Sequence, residues 1–354
     1  MSVRPLVVRC GAFGDVVMLT TLIRLLHARH GAPVDVVGCG DWTPPLLERE
    51  PALGHLQMLD SRSTPYWLCP SQWALVRWLK QRGRGPVYLC DGSPAMDALV
   101  ARAGIPEADL VRRPCGDDVA GEGMELWPDR WLRMGMRDPA EHYPTRAIAD
   151  PSRFRFPVLH TTDDDRRDLA RWRAARGLEG LCVLFQPGNK RTHKRGNVAT
   201  ASHPKYWPPG AWADVAAAIW RDMPQARIVL CGSPAEHGVL EEIRKATGDD
   251  SRLFNAGREL PVPRLLALLQ QAHSLVSVDT GPAHAAAALG CPLVVMFGAA
   301  SPAKWRPIGP GPIQVLGGEK SEASRVRDIP ARDVIAAWHR CVPAPRPQPD
   351  FSMP

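Results

Sequence analysis

The chain has 354 residues, of which 45% are hydrophobic and 23% charged, and a formal net charge of +7. That length suits two domains of common size, each with its own core, and the composition is that of a soluble globular protein. The positive excess points to an anionic partner, whether a phosphorylated small molecule, nucleic acid or an anionic membrane surface. The basic residues are dispersed and form no recognition motif, which argues against nucleic acid.

Short β-branched runs recur along the chain: LVVR (6–9), VDVVG (34–38), VYLC (87–90), LCVLF (181–185), RIVLC (227–231), LVSV (275–278) and LVVMF (293–297). Their continuous apolarity suits strands buried on both faces of a parallel sheet. Segments 15–30, 163–176, 210–222, 235–246 and 262–272 carry helical spacing, so the pattern is that of repeated βαβ units. Residues 115–160 are poor in strand signal and rich in Pro, Trp and Arg, and a boundary is expected near 155–180. The expected organisation is an N-terminal domain over 1–160, a C-terminal domain over 161–340 and a Pro-rich flexible tail over 341–354. Nine cysteines, odd in number and without a C-x-x-C pair, argue against a disulfide framework or a zinc knuckle and for a reducing cytoplasm. No signal peptide opens the chain, and no apolar stretch approaches the roughly 20 residues needed to span a bilayer. Any membrane contact is therefore expected at the surface.

Nearly every strand runs into turn-forming residues, and in open α/β sheets ligands sit outside the carboxyl ends of strands. After the first strand comes Gly11-Ala12-Phe13-Gly14, and a helix is expected at or just after Asp15. A carboxylate there is either an N-cap or, ionised at a cleft edge, a proton acceptor for an incoming hydroxyl. The glycines do not form G-x-G-x-x-G, so no dinucleotide fingerprint is present. In QPGNKRTHKRGNVATASHPKYWPPGAW (186–212), Lys190, Arg191, Lys194 and Arg195 make a basic loop, read either as phosphate contacts or as a solvated charge run. Lys205 precedes Tyr206-Trp207-Pro208, whose rings can fix its position. In CGSPAEHGVLEEI, Glu236 either accepts from ribose hydroxyls or is a favourable charge at a helix start.

The most informative stretch is LVSVDTGPAHAAAALGCPLVVMFG (275–298). A strand ends in Asp279-Thr280-Gly281, and Pro282 suits a first helical turn because its missing N–H would be unpaired there anyway. The Thr280 and Gly281 amides are then free for an anion, with the helix dipole behind them. His284, in the first turn, either faces the same anion or is a satisfied structural residue. Asp-Thr-Gly also occurs in aspartic proteases, but those need two facing copies in a β-rich site and this chain has one, followed by a helix.

In this order and spacing, GAFGDVVMLTTLIRLL, PKYWPPGAW, CGSPAEH and VSVDTGPAHAAAALGCPLVVMFG resemble the ADP-heptose:lipopolysaccharide heptosyltransferases, the inverting glycosyltransferase family nine. The resemblance implies a GT-B fold, with two Rossmann-like doubly wound domains facing across a cleft. The first domain would bind the acceptor and the second the nucleotide-sugar. It implies transfer of heptose or a related sugar from an ADP-sugar to a saccharide hydroxyl, of lipopolysaccharide inner core, without a metal or other cofactor. By position in the motifs Asp15 resembles the catalytic base, Lys205 the diphosphate-facing lysine and Glu236 the ribose-binding acid. Asp279, Thr280, Gly281 and His284 resemble the donor-binding signature, with Lys190, Arg191 and Lys194 as candidate phosphate contacts. A GT-B sugar-nucleotide epimerase and a catalytically idle nucleotide-sugar-binding protein are the alternatives.

The sequence departs from the family pattern in LCDGSPAMDALVARAG, which lacks the usual Gln, and in a longer, more basic 188–204 loop. Both departures bear on the acceptor more than on the donor. The partners implied are the donor, a saccharide or lipid-linked saccharide acceptor and a transient membrane contact at the inner face. Residues 62–84, with Trp67, Trp73, Trp78, Lys80, Arg82 and Arg84, are either part of that contact or an ordinary surface helix.

Overall fold

A computed structural model describes residues 3–113, 125–188 and 203–342. The chain divides into two compact units, Met1–His160 and Thr161–Pro354. The basic loop with Lys190, Arg191, Lys194 and Arg195, and the proline-rich end beyond residue 342, lie outside the described residues.

In the first unit the strands are β1 (Leu6–Val8), β2 (Val34–Gly38), β3 (Leu53–Met58), β4 (Val87–Leu89) and β5 (Leu110–Arg112). They form one wholly parallel sheet in the order β3-β2-β1-β4-β5. The helices are α1 (Phe13–His30), α2 (Thr43–Leu47), α3 (Pro70–Gln81), α4 (Pro94–Arg102) and α5 (Trp127–Gly135). The centre of α1 is buried almost without interruption from Val16 to Leu26, because the sheet covers one side and α5 packs along another. Arg29, itself buried, fastens the two helices: its guanidinium donates to the carbonyls of Gly135 and Arg137 and to Asp138. These are carbonyls that the end of α5 leaves without helical partners.

The second unit repeats the plan. Strands β6 (Cys182–Gln186), β7 (Arg227–Leu230), β8 (Leu253–Asn255), β9 (Ser274–Val278), β10 (Leu293–Phe297) and β11 (Ile313–Gly317) form a parallel sheet in the order β11-β10-β9-β6-β7-β8. Its helices are α6 (Asp163–Ala175), α7 (Pro209–Asp222), α8 (His237–Ala246), α9 (Val262–Gln271), α10 (Gly281–Ala288), α11 (Pro302–Trp305) and α12 (Ala331–Cys341). A core of Val183, Phe185, Trp212, Ile228, Val276 and Trp338 joins the sheet to α7 and α12. Trp212 is fully buried, with Phe185 at 5.1 Å and Trp207 edge-on at 5.0 Å between ring centroids.

Each sheet reverses its strand order once, between β1 and β4 and between β6 and β9. In doubly wound sheets the crevice outside the carboxyl ends at that reversal is where ligands bind. The strands foreseen from apolar runs are the inner ones, β1, β2, β4, β6, β7, β9 and β10. The four edge strands β3, β5, β8 and β11 lack such runs because one side of each faces away from the sheet. β3, for example, reads LGHLQM and is only half-buried.

Cys90 and Cys231 are buried free thiols, and burial pushes the Cys90 thiol up to about 12, so it packs as a protonated hydrophobe. Among the described residues no helix is long and apolar enough to cross a membrane.

His30, at the end of α1, is held neutral. Burial, seconded by the neighbouring Arg29, lowers its pKa from 6.5 to about 4 against the opposing pull of Asp138. The unfolded chain therefore holds a proton on His30 that the folded chain lacks. This contribution is fully present above about pH 6.5 and is lost as pH falls towards 4, by up to about 3 kcal/mol. Denaturant titrations of wild type and His30→Asn across that window should show the wild type losing more stability by roughly this amount.

Candidate functional site

In the first unit the residues after β1 and β4 meet at the strand-order reversal. Helix α1 begins at Phe13 and not at or after Asp15, with Ala12 as its N-cap. Asp15 is thus the third residue inside the helix, and its Oδ2 reaches back to accept the Ala12 N–H at 2.9 Å. The N-cap reading of Asp15 is corrected to that of a carboxylate acting from within the first turn. Its Oδ1 lies 3.0 Å from Nη2 of Arg9, which sequence reasoning passed over as a strand end. The Arg9 guanidinium also donates to the Cys90 carbonyl and lies over the Trp131 ring at 5.7 Å, so it is held on three sides. A Cβ on Gly11 would fall 2.5 Å from Cβ of Asp15, so only glycine lets the turn pass this close to the carboxylate. Beside it, buried Asp91 accepts from the Cys10 and Ser93 amides and from Arg62 Nη1 at 2.6 Å. Asp91 stands in the stretch that departs from the family pattern, and its partner Arg62 is 29 residues away in sequence.

In the second unit the reversal lies between β6 and β9, and Asp279-Thr280 follows β9 directly. Helix α10 starts at Gly281, one residue before the expected Pro282, with Thr280 extended at its N-cap (φ −148°, ψ 168°) and no side-chain cap. The first-turn amides thus have no side-chain acceptor from the cap residue, and the positive end of the helix dipole adds to them. Gly290 follows the helix with φ of 74°, as its place in the sequence suggests. His284 is buried at 6% exposure within α10.

Lys205 comes from a distant segment to the same place. Its Nζ donates to the Asp279 backbone carbonyl and to Asp279 Oδ2, both at 2.7 Å. The segment that carries it is pinned on several sides: the Val326 N–H donates to the Pro204 carbonyl, and Trp207, 2% exposed, donates to the Ile329 carbonyl. Trp207 is the ring that fixes Lys205 ahead of α7.

Glu236 ends a 3₁₀ turn, Pro234–Glu236, that precedes α8. Its Oε2 accepts from the Ser233 amide and hydroxyl at 2.8 and 2.7 Å, which is capping chemistry. Its Oε1 is buried and has no hydrogen-bond partner among the described residues. A buried carboxylate oxygen left unpaired is costly unless a ligand supplies the donor. Gly188, just after β6, lies against that oxygen, and a Cβ there would come within 2.3 Å of it.

The second unit therefore gathers Lys205, Asp279, Thr280 and Gly281 at one strand end, and pairs Glu236 with Gly188 beyond another. Gly188 was not singled out from sequence; PGN after a strand reads as an ordinary turn. Asp15 belongs to the first unit. Among the described residues no group of three His, Cys, Asp or Glu is placed to hold a metal ion. Gly188→Ala should push the Glu236 carboxylate off its Ser233 donors and lower stability by about 1–3 kcal/mol, the value of one charged hydrogen bond, as read by denaturant titration.

Residues 184–333 match the family model for glycosyltransferase family 9 (heptosyltransferase). The chain is 24% identical over 312 residues to lipopolysaccharide heptosyltransferase 2 of Escherichia coli K12, covering 82% of this chain and 81% of that protein. Lipopolysaccharide heptosyltransferase 3 of the same strain is 30% identical over 204 residues, 54% of this chain and 56% of that protein. Among solved structures, E. coli ADP-heptose heptosyltransferase II superposes with a TM-score of 0.72 at 21% identity, covering 96% of this chain and 98% of that one. These likenesses establish the GT-B fold class for the two parallel-sheet units. The family match runs through the Lys205, Glu236 and Asp279 segments, so it is the second unit that is similar to the glycosyltransferases of family 9 (heptosyltransferase), and over most of its length the chain is similar to the lipopolysaccharide heptosyltransferases.

Proposed function

We propose that the protein transfers heptose, or a closely related sugar, from an ADP-sugar to a hydroxyl of a lipopolysaccharide inner-core saccharide, with inversion and without a metal. The observation that carries the reading is Lys205, fixed through Trp207 and Pro204 at the mouth of β9 beside the open first turn of α10. A nucleoside diphosphate placed there meets an ammonium and free backbone amides, which stabilise the negative charge that builds as the sugar departs. Glu236 Oε1 is an unpaired acceptor suited to a ribose hydroxyl. The lipopolysaccharide heptosyltransferases among its relatives support the choice of donor and acceptor.

In this reading Asp15 takes the proton from the acceptor hydroxyl as its oxygen attacks the anomeric carbon. The bond from that carbon to the diphosphate oxygen breaks, and the electron pair leaves with ADP. Arg9 and the Ala12 amide keep the Asp15 carboxylate oriented. Lys205 must turn from Asp279 towards the diphosphate, so part of the donor's binding energy replaces an existing ion pair. The first unit would hold the acceptor and the second the donor, and the enzyme would work in the cytoplasm at the inner face of the membrane.

Asp15→Asn should lower kcat by roughly 10²–10⁴ while leaving ADP affinity unchanged. A transfer rate equal to wild type would remove Asp15 as the base. Lys205→Met should cost about 10²–10³ in kcat and also weaken ADP binding. Calorimetry with ADP, UDP and GDP, with and without magnesium, should show selective ADP binding that survives EDTA. A preference for UDP or GDP would discard the ADP-sugar. Nucleotide release only when an acceptor is supplied would count against an epimerase, and donor binding without turnover on any acceptor would favour a binding protein.

A further inference from the structure

Four large hydrophobic side chains stand exposed among the described residues, and three of them fall within seven positions: Trp67 (71%), Leu68 (56%) and Trp73 (41%). Trp67 and Leu68 lie on a 3₁₀ turn, Tyr66–Leu68, that runs into α3. The turn is not loose, because the Trp73 indole N–H donates to the Tyr66 carbonyl at 2.6 Å and Arg102 of α4 lies 4.2 Å over the Tyr66 ring. The exposed side of α3 continues from Trp73 and Ala74 to Arg77 and Lys80. Behind it, Leu75, Val76 and Leu79 are buried in the core.

The structure divides the aromatic and basic residues in and beside 62–84 into two sets. Arg62 pairs with Asp91, Trp78 is half-buried against His55, Arg82 is half-buried beside Asp35, and Arg84 pairs with Asp109 and Glu141. Trp67, Leu68, Trp73, Arg77, Lys80 and Arg102 remain on the surface, and none of the three cations forms an ion pair among the described residues. Asp60 is the only acidic residue in 60–84.

We infer that this apolar projection with its basic flank is a docking surface for an anionic lipid bilayer. Indole rings settle at the headgroup level, where one edge is apolar and the other wet, and neighbouring Lys and Arg are drawn to anionic headgroups. Charge selects this occupant over a second copy of the chain: a two-fold contact would bring Arg77, Lys80 and Arg102 against their own counterparts. The inference deepens the reading of an enzyme that visits a membrane, giving the residues that would make the contact.

The test is co-sedimentation of the full-length protein with phosphatidylcholine vesicles, with and without 30% phosphatidylglycerol. Wild type should bind the anionic vesicles and lose most of that binding on neutral vesicles or in high salt. Trp67→Ser/Trp73→Ser should reduce binding about tenfold, and Arg77→Gln or Lys80→Gln about fivefold each. Circular dichroism and ADP binding should be unchanged, since these side chains lie outside the core and in the other unit. Equal binding by wild type and the tryptophan double variant overturns the proposal, as does no binding to anionic vesicles. A dimer that the double variant dissolves, without vesicle binding, assigns the patch to self-association. The readout involves no catalysis, so wild-type transfer to a soluble acceptor alongside failed vesicle binding sinks the docking surface and leaves the proposed reaction standing.

Discussion

A parallel sheet covered on both faces leaves a chain few places to expose polar groups, and both units are built under that constraint. The inner strands are mostly apolar and buried, with Asp35 of β2 the buried exception held by Arg82 and Arg4, so most charged side chains gather where strands end. The reversal of strand order then opens a crevice between neighbouring strand ends. Asp15 and Asp91 stand at that place in the first unit, and Lys205, Asp279 and Thr280 in the second. The location of the chemistry follows from the burial of β1, β4, β6 and β9.

The same constraint explains what the sequence reveals and what it hides. Inner strands announce themselves as continuous β-branched runs. Edge strands such as β3 and β11 mix polar and apolar residues, and their pairing is set by the neighbouring strand. Site residues divide in a similar way. Asp279, Thr280 and Gly281 sit in one contiguous turn whose capping chemistry can be read directly. Arg9 acquires meaning only when the turn after β1 folds the Asp15 carboxylate back onto it, and Arg62 only when its loop reaches Asp91. Gly188 looks like any turn glycine until Glu236, 48 positions later, is seen against it. Such pairings depend on topology and leave no local pattern.

The site side chains are also not idle without substrate. Arg9 occupies one oxygen of Asp15, and Asp279 engages Lys205 through both side chain and backbone. Internal partners of this kind keep charged groups oriented and compensate their partial burial. In the proposed reaction, binding and catalysis proceed by exchange of partners, which reduces apparent affinity but avoids reorganising a disordered cluster. Glu236 differs: one of its oxygens is fully used and the other has no hydrogen-bond donor among the described residues.

The anchoring of Lys205 has a consequence for how the protein is made. Its segment is tied to Val326 and Ile329, which follow the last strand, β11. A nascent chain that has completed the inner strands of the second sheet still lacks the two partners that hold this lysine in place. The first turn of α10 can form early, while Lys205 is fixed only once residues 326–329 have emerged. Assembly of the site is thereby deferred to the end of synthesis, and a chain truncated before residue 326 would lose both the anchor for its lysine and the part of the core that Val334 and Trp338 supply.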